Sequence, residues 1–192
     1  MTFPELPWGT IAVTGLLIFQ LATGGWPKYL DYYKLSLPLL AVNLIALPVL
    51  IGLSLLAWYP TNGEGILWWS WVKLLTGQSG GVFTAPLHIP VLGWVLMAAL
   101  LLRLPEFAHY EEVAFRSRSK TLGQMVRTTA LWAALHFLVG VPIAVCIAIG
   151  LTGGLVYNWL YQNFGLEAAA RAHFQQNLIV ISLLAITIFW SI

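Results

Sequence analysis

Charged residues are scarce in this chain of 192 residues. Only 8% of the residues are Asp, Glu, Lys or Arg and 59% are hydrophobic, whereas a soluble domain is typically about 25% charged. The chain has too few polar side chains to cover itself in water, which predicts a membrane protein. Its net charge of +2 is too small and too scattered to indicate nucleic-acid binding. A single cysteine, Cys146, excludes an internal disulfide, and we interpret it as a core residue.

Long apolar runs predict an all-α bundle of about six membrane-spanning helices. A helix needs about 20 residues to cross about 30 Å of hydrocarbon. The longest run, residues 122–162, is about twice that length and is broken near Gly140-Val141-Pro142, so it predicts two helices. The other runs cover residues 8–24, 36–58, 86–103 and 174–191. We therefore interpret residues 1–192 as a single integral membrane domain.

The basic residues predict how the bundle is oriented. On the six-span arrangement, one side carries Lys28, Lys34, Arg103, Arg116, Arg118, Lys120 and Arg171, with Arg127 just inside it. Lys73 lies alone on the other side. The positive-inside rule makes the first side cytoplasmic. Glu111 and His173 lie on that side as well, so a site containing them would open toward the cytosol.

Three short strings place ionisable side chains within or beside these apolar runs. They are Glu111-Glu112-x-x-x-Arg116, Trp132-x-x-x-His136 and His173-x-x-x-Asn177. A membrane span tolerates a carboxylate or an imidazole only with a partner or in a wet cavity, so each is a candidate site residue. Because residues four apart share a helix face, Glu112 can pair with Arg116. Glu111 then points about 100° away and is free for other work.

Such a set of residues allows hydrolysis. A carboxylate can act as a general base on a water molecule, and a neutral imidazole can hold that water or shuttle its proton. A second His and an Asn amide supply donors where negative charge develops on a carbonyl oxygen. Alternatively, Glu111, His136 and His173 could bind a divalent metal such as zinc, which would acidify the water. Glu111 reaches the depth of His136 only on a tilted or interfacial helix, which we predict for residues 106–119.

The order of the three strings is similar to that in the CPBP family of intramembrane proteases. This family includes the CAAX prenyl endopeptidases of the Ras-converting type and the bacterial bacteriocin-processing and abortive-infection proteins. The resemblance covers roughly residues 105–185. It extends to Glu111–Arg116, where the family commonly reads EE, two apolar residues and FR. It also extends to residues 150–157, which resemble the glycine-rich helix before the last motif.

The resemblance implies a role for each residue of the first two strings. Glu111 would be the general base, and Glu112, paired with Arg116, would support it. His136 would help to activate the water. Members of the family are often described as metalloproteases, but a glutamate-dependent mechanism without metal is also argued for them, and the sequence leaves both open.

His173 and Asn177 would stabilise the oxyanion or position the attacking water, again as the resemblance implies. The chain departs from the family pattern at two places. Trp132 stands where the family usually has Phe, which changes the packing behind His136. Ser117 stands where Gly usually follows the Arg. Neither departure removes a group to which the resemblance assigns a catalytic role.

The resemblance implies a membrane protein or peptide as substrate, and the short chain makes a prenyl protein the less expected one. It also implies an integral protein of a bacterial inner membrane or an organellar membrane, with a membrane complex partner as a further expectation. The alternative function is a non-proteolytic scaffold, chaperone or regulator with the same fold. A small transporter would need charged residues in several spans, and the first two predicted spans contain none.

Two histidines and one further string are interpreted as structural. His88 and His109 belong to none of the three strings, and we predict that they are structural or interfacial. Residues 77–80 read GQSG, as in rhomboid serine proteases. A rhomboid serine lies at a buried helix start opposite a His, whereas this string lies in a glycine-rich turn outside the predicted spans. We therefore reject a serine protease.

Overall fold

A computed structural model describes residues 27–59, 90–117, 119–138 and 141–190, together with residues 15, 18, 19 and 22. The regular elements in these ranges are all helical, which confirms the all-α prediction for this part of the chain. The predicted span 8–24, apart from those four residues, lies outside the described residues. His88 and the GQSG string lie outside them as well.

The described residues form five long helices. Their bounds are Leu37–Trp58 (α1), Pro90–Arg116 (α2), Leu122–Leu138 (α3), Ile143–Phe164 (α4) and Leu166–Trp190 (α5). A 3-10 helix, Leu30–Tyr33, precedes α1, and a π-helical turn, Gly150–Gly154, lies within α4. The predicted break in the run 122–162 is confirmed, because α4 begins directly after Pro142, which has no backbone N–H to continue the preceding helix.

Two of these helices are long and apolar enough to cross a membrane, judged by length and composition. They are Leu37–Leu56 within α1 and α4 itself, with mean hydropathies of 2.5 and 1.8. Only 17% of the α1 segment is buried inside the protein. Leu44 and Ile45 are among its exposed residues. Large exposed apolar patches are rare on soluble monomers, so this surface supports a membrane setting. The count of six spans is not confirmed and stays a prediction.

The Glu111–Arg116 motif lies on the end of α2 and has no helix of its own. Helix α2 continues through Pro105, although a proline removes the N–H that would donate to the carbonyl four residues earlier. That carbonyl belongs to Leu101, and the Tyr33 hydroxyl donates to it. The prediction that the motif lies on a helix separate from the preceding span is therefore wrong, because α2 continues to Arg116 and the Tyr33 hydroxyl donates to the carbonyl that Pro105 leaves without its usual donor. The tilt of this segment stays a prediction.

Helix α5 packs against α1, α2 and α4. Its first turns carry Ala169, Ala170 and Ala172, none of which is exposed. Small side chains let neighbouring helices approach closely. This packing places His173, the next residue along α5, in the interior between α2 and α4.

The segment before α1 is attached to α2 and α5 by polar contacts. The backbone N–H of Lys28 donates to Glu106 Oε1 at 2.5 Å, and Glu106 Oε2 pairs with the buried Arg103 at 2.8 Å. Asp31 pairs with Arg171 of α5 at 2.6 Å. These contacts bring three of the basic residues that the sequence predicts on one side to the same end of the bundle.

His109 packs against the same segment, in agreement with its predicted structural role. Its ring stacks on Tyr29 with ring centres 4.1 Å apart, and its Nδ1 shares a hydrogen bond of 2.9 Å with the Tyr32 hydroxyl. Burial, with a smaller effect of Glu167, raises the pKa of Tyr32 to about 12, so that hydroxyl keeps its proton. Burial lowers the pKa of His109, and Glu167 opposes this effect.

We expect the free energy of unfolding to fall as the pH is lowered from about 7.5 to about 5, and to fall less in His109→Gln. In the unfolded chain the His109 imidazole takes up a proton near pH 6.5. This is above its pKa in the folded protein, which burial lowers. The stability that neutral His109 contributes is therefore complete above about pH 6.5 and is lost as the pH falls toward the folded-state pKa. Unfolding titrations in detergent micelles at several pH values measure both slopes, and equal slopes would contradict this assignment.

Candidate functional site

Two adjacent carboxylates of α2 have different surroundings. Glu112 is fully buried, whereas the side chain of Glu111 is 36% exposed. Adjacent residues on a helix point about 100° apart, so Glu112 faces the interior and Glu111 faces its edge. A buried carboxylate requires partners, whereas a partly exposed one can reach substrate and water.

Glu112 is held between a guanidinium and an imidazole. Its Oε2 lies 3.4 Å from Arg116 Nε, and its Oε1 lies 2.9 Å from His173 Nδ1. The pairing of Glu112 with Arg116 that the four-residue spacing predicts is thus present. Arg116 is itself fully buried. Burial lowers its pKa and Glu112 opposes that effect, so these charges depend on each other.

Glu111 is contacted from two other helices. The indole Nε1–H of Trp132, on α3, donates to Glu111 Oε2 at 2.7 Å. The same oxygen lies 3.8 Å from Nε2 of His173, on α5. The three sequence strings therefore meet at the Glu111 carboxylate, with one helix contributing each.

Trp132 contacts the buried groups as well, and only 3% of its surface is exposed. The Arg116 guanidinium lies over its ring at 4.5 Å from the ring centre. The ring of His173 meets it edge to face at 5.5 Å between centres. The sequence indicated only a packing role for Trp132 and missed its hydrogen bond. A buried Trp usually finds a partner for its N–H, and that signal could have shown it.

His136 joins the site through Trp132. Its Nδ1 lies 2.9 Å from the Trp132 carbonyl oxygen, and its ring meets the indole at 4.8 Å between centres. Because a carbonyl oxygen only accepts, Nδ1 is the donor and Nε2 carries the lone pair. Asn177 is half-buried one turn beyond His173 on α5, and its role as a donor to the oxyanion stays a prediction.

Tyr157 of α4 packs on His173, a contact that the sequence did not indicate. Its ring stacks on the imidazole with centres 4.9 Å apart and planes 22° apart. Its hydroxyl donates to Gln176 Oε1. Tyr157 itself is buried, with 1% of its surface exposed. His173 is therefore held on one ring face by stacking on a buried Tyr157 and at Nδ1 by its hydrogen bond to Glu112.

Glycines of the π-helical turn let α4 approach α3 closely beside Trp132. A Cβ atom on Gly154 would lie 2.4 Å from Thr129 Cγ2, and one on Gly153 would lie 3.2 Å from Trp132 Cη2. Asn158 Nδ2 donates at 2.8 Å both to Thr129 Oγ1 and to the Gly154 carbonyl. The glycines thus allow the helix contact that holds the indole against the site.

The zinc set considered from the sequence is not arranged as a metal site. Among the residues that the structure describes, no group of three or more His, Cys, Asp or Glu side chains could hold a metal ion. The Trp132 ring contacts the imidazoles of both His136 and His173, and Nδ1 of His173 is taken by Glu112.

Comparison with known proteins gives no relative. No family model matches the chain, and no curated protein and no solved structure matches it. The resemblance to the CPBP family rests on the three strings and on residues 150–157 of the sequence.

Proposed function

We propose that this chain is an integral membrane endopeptidase of the CPBP type that hydrolyses peptide bonds of a membrane protein or peptide. The observation that carries the proposal is the meeting of Glu111 Oε2 with His173 Nε2 at 3.8 Å. Behind this pair lies a fully buried ion pair, Glu112 with Arg116. A partly exposed carboxylate beside an imidazole of fixed orientation is suited to general base catalysis.

The hydrogen bonds assign the proton on His173. Glu112, ionised beside Arg116, only accepts, so Nδ1 of His173 is the donor in their 2.9 Å contact. Nε2 then carries a lone pair and faces Glu111 Oε2, which is also an acceptor. Two acceptors 3.8 Å apart form no direct hydrogen bond, but both can accept from one water molecule. We propose that this water is the nucleophile.

The reaction then follows from these positions. Glu111 takes a proton from the water as the water oxygen bonds to the peptide carbonyl carbon, and the carbonyl oxygen becomes an oxyanion. The Asn177 amide is the donor proposed for that oxyanion. The proton passes from Glu111 to the leaving amine as the carbon–nitrogen bond breaks, with Nε2 of His136 as the proposed relay. His173 positions the water, which is one of the two roles that the resemblance implies.

The membrane setting is part of the proposal. The apolar, outward-facing α1 and the long α4 support an integral protein, and a substrate within the membrane follows from that setting. The proposed location is a bacterial inner membrane or an organellar membrane, with the site open toward the cytosol. The cytosolic side is supported by the basic residues that lie at one end of the bundle near Arg103 and Arg171, because cytoplasmic ends carry an excess of Lys and Arg.

We expect Glu111→Gln to abolish cleavage. This change removes the base and keeps the size of the side chain. Protein N-termini are compared in host cells that carry the native protein, the Glu111→Gln variant or a Glu167→Gln control. Glu167 is exposed on α5, so its variant should behave as the native protein does. Membrane-protein termini found with native protein and control, but not with Glu111→Gln, would establish proteolysis and identify the substrate.

The alternative function gives a different result in the same experiment. Identical termini in all three strains would overturn the endopeptidase. If Glu111→Gln also rescued the phenotype of a deletion strain, the bundle would act by binding, as a scaffold, chaperone or regulator. The buried Glu112, Arg116 and His173 would then serve stability alone.

A further inference from the structure

We infer that Trp132 is a positioning residue that holds the Glu111 carboxylate through its indole N–H. The inference rests on the proposed function, since it gives Trp132 a part in the same reaction. The contact is a hydrogen bond of 2.7 Å from Nε1 to Glu111 Oε2. Trp132 belongs to α3 and Glu111 to α2, so the bond connects two helices of the site.

The Glu111 side chain has few other restraints. It is 36% exposed, and its other polar contact with the residues that the structure describes is the 3.8 Å approach to His173 Nε2. A glutamate has three side-chain torsions that must be ordered at an entropic cost. The indole N–H fixes Oε2 at the distance from Nε2 that one water can bridge. Without this donor, the carboxylate is free to turn toward solvent.

The indole is itself held rigidly, which is what a positioning residue needs. Its ring has Arg116 over one face, and Tyr157 meets it edge to face at 6.0 Å between centres. Gly153 of α4 approaches its far edge. A phenylalanine could fill much of this space and contact the same neighbours. It has no N–H, however, so a Trp-to-Phe change separates the hydrogen bond from the packing.

We expect Trp132→Phe to lower kcat by about tenfold or more and to change KM by less than about twofold, because a hydrogen bond to a charged group has been lost while substrate contacts remain. The substrate is the protein identified by the comparison of N-termini, assayed with purified full-length enzyme in liposomes. Trp159→Phe is the matched control. Trp159 is 52% exposed and packs on Phe164, so its variant should keep the native kcat.

A second measurement detects the contact without relying on activity. The chain has ten tryptophans, and NMR of protein labelled with 15N in the tryptophan side chains gives one indole resonance for each. Trp132→Phe identifies the resonance of Trp132 by its loss. Glu111→Gln should move that resonance upfield, because an amide oxygen is a weaker acceptor than a carboxylate. Glu167→Gln should leave it in place.

The outcomes separate the two proposals. An unmoved indole resonance in Glu111→Gln would overturn the positioning role while leaving the endopeptidase standing. An unchanged kcat in Trp132→Phe would overturn it as well. If Glu111→Gln cleaved substrate at the native rate, the proposed function would fail and the positioning role with it, and the NMR result would then report a structural contact only.

Discussion

Glu112→Gln is expected to lower the free energy of unfolding by about 3–5 kcal/mol, the usual cost of leaving a buried charge without its partner. Glu112 and Arg116 are both fully buried, and Oε1 of Glu112 also accepts from His173. Glutamine keeps the shape of the side chain but removes its charge. The Arg116 guanidinium would then remain buried without a counterion. Detergent unfolding curves of the native protein and the variant give the difference.

The chain contains a matched control for this experiment. Glu167 and Arg171 on α5 have the same four-residue spacing and form a contact of 2.8 Å, but 68% of the Glu167 side chain is exposed. Exposed pairs of this kind contribute about 0–1 kcal/mol. Glu167→Gln should therefore change stability by less than about 1 kcal/mol. If Glu112→Gln cost no more than Glu167→Gln, the buried pair would not be charged in the folded protein.

Gly154→Ala is expected to destabilise the protein by about 1–3 kcal/mol, because it forces apart two closely packed helices. The added Cβ would lie 2.4 Å from Thr129 Cγ2, closer than two non-bonded carbon atoms can approach. Helix α4 must then move away from α3 near Trp132. Activity should fall together with stability, since Trp132 donates to Glu111. The same unfolding curves, together with cleavage of the identified substrate, measure both effects.

Two further variants separate the close contact from the general effect of alanine. Thr129→Ser removes Cγ2 and keeps the hydroxyl that accepts from Asn158. Combined with Gly154→Ala in a double variant, it should recover much of the stability that Gly154→Ala alone loses. Among the described residues, and apart from the backbone of α1 itself and the two chain neighbours, no heavy atom would lie within 4 Å of a Cβ on Gly52. Gly52→Ala should stabilise the protein by up to about 1 kcal/mol, the gain expected from helix propensity. A loss of stability in Gly52→Ala similar to that of Gly154→Ala would contradict the steric explanation.

Pro142 and Pro105 affect their helices differently, although the sequence predicted a helix boundary near each. At Pro142 the apolar run is interrupted as predicted, and α4 starts at the next residue. At Pro105 the helix continues, because the Tyr33 hydroxyl donates to the carbonyl that the proline leaves without its usual donor. The two residues are chemically identical. The contact to that carbonyl comes from a residue far away in the chain, which local sequence does not reveal.

The sequence by itself determined the helical class and the local pairs of the site. Apolar runs of helical length predicted α1 and α5, and the four-residue spacing predicted the contact between Glu112 and Arg116. Both are properties of a single helix, whose geometry relates sequence distance directly to spatial distance.

Only the tertiary structure decided what surrounds Glu111. Its partners among the described residues, Trp132 and His173, come from α3 and α5, and the sequence had indicated for Trp132 a packing role alone. The choice of partners depends on how closely the helices pack and how each is rotated. That packing depends in turn on Gly154 against Thr129 and on the buried alanines of α5. Such contacts arise between residues far apart in the chain, and the periodicity of one segment does not specify them.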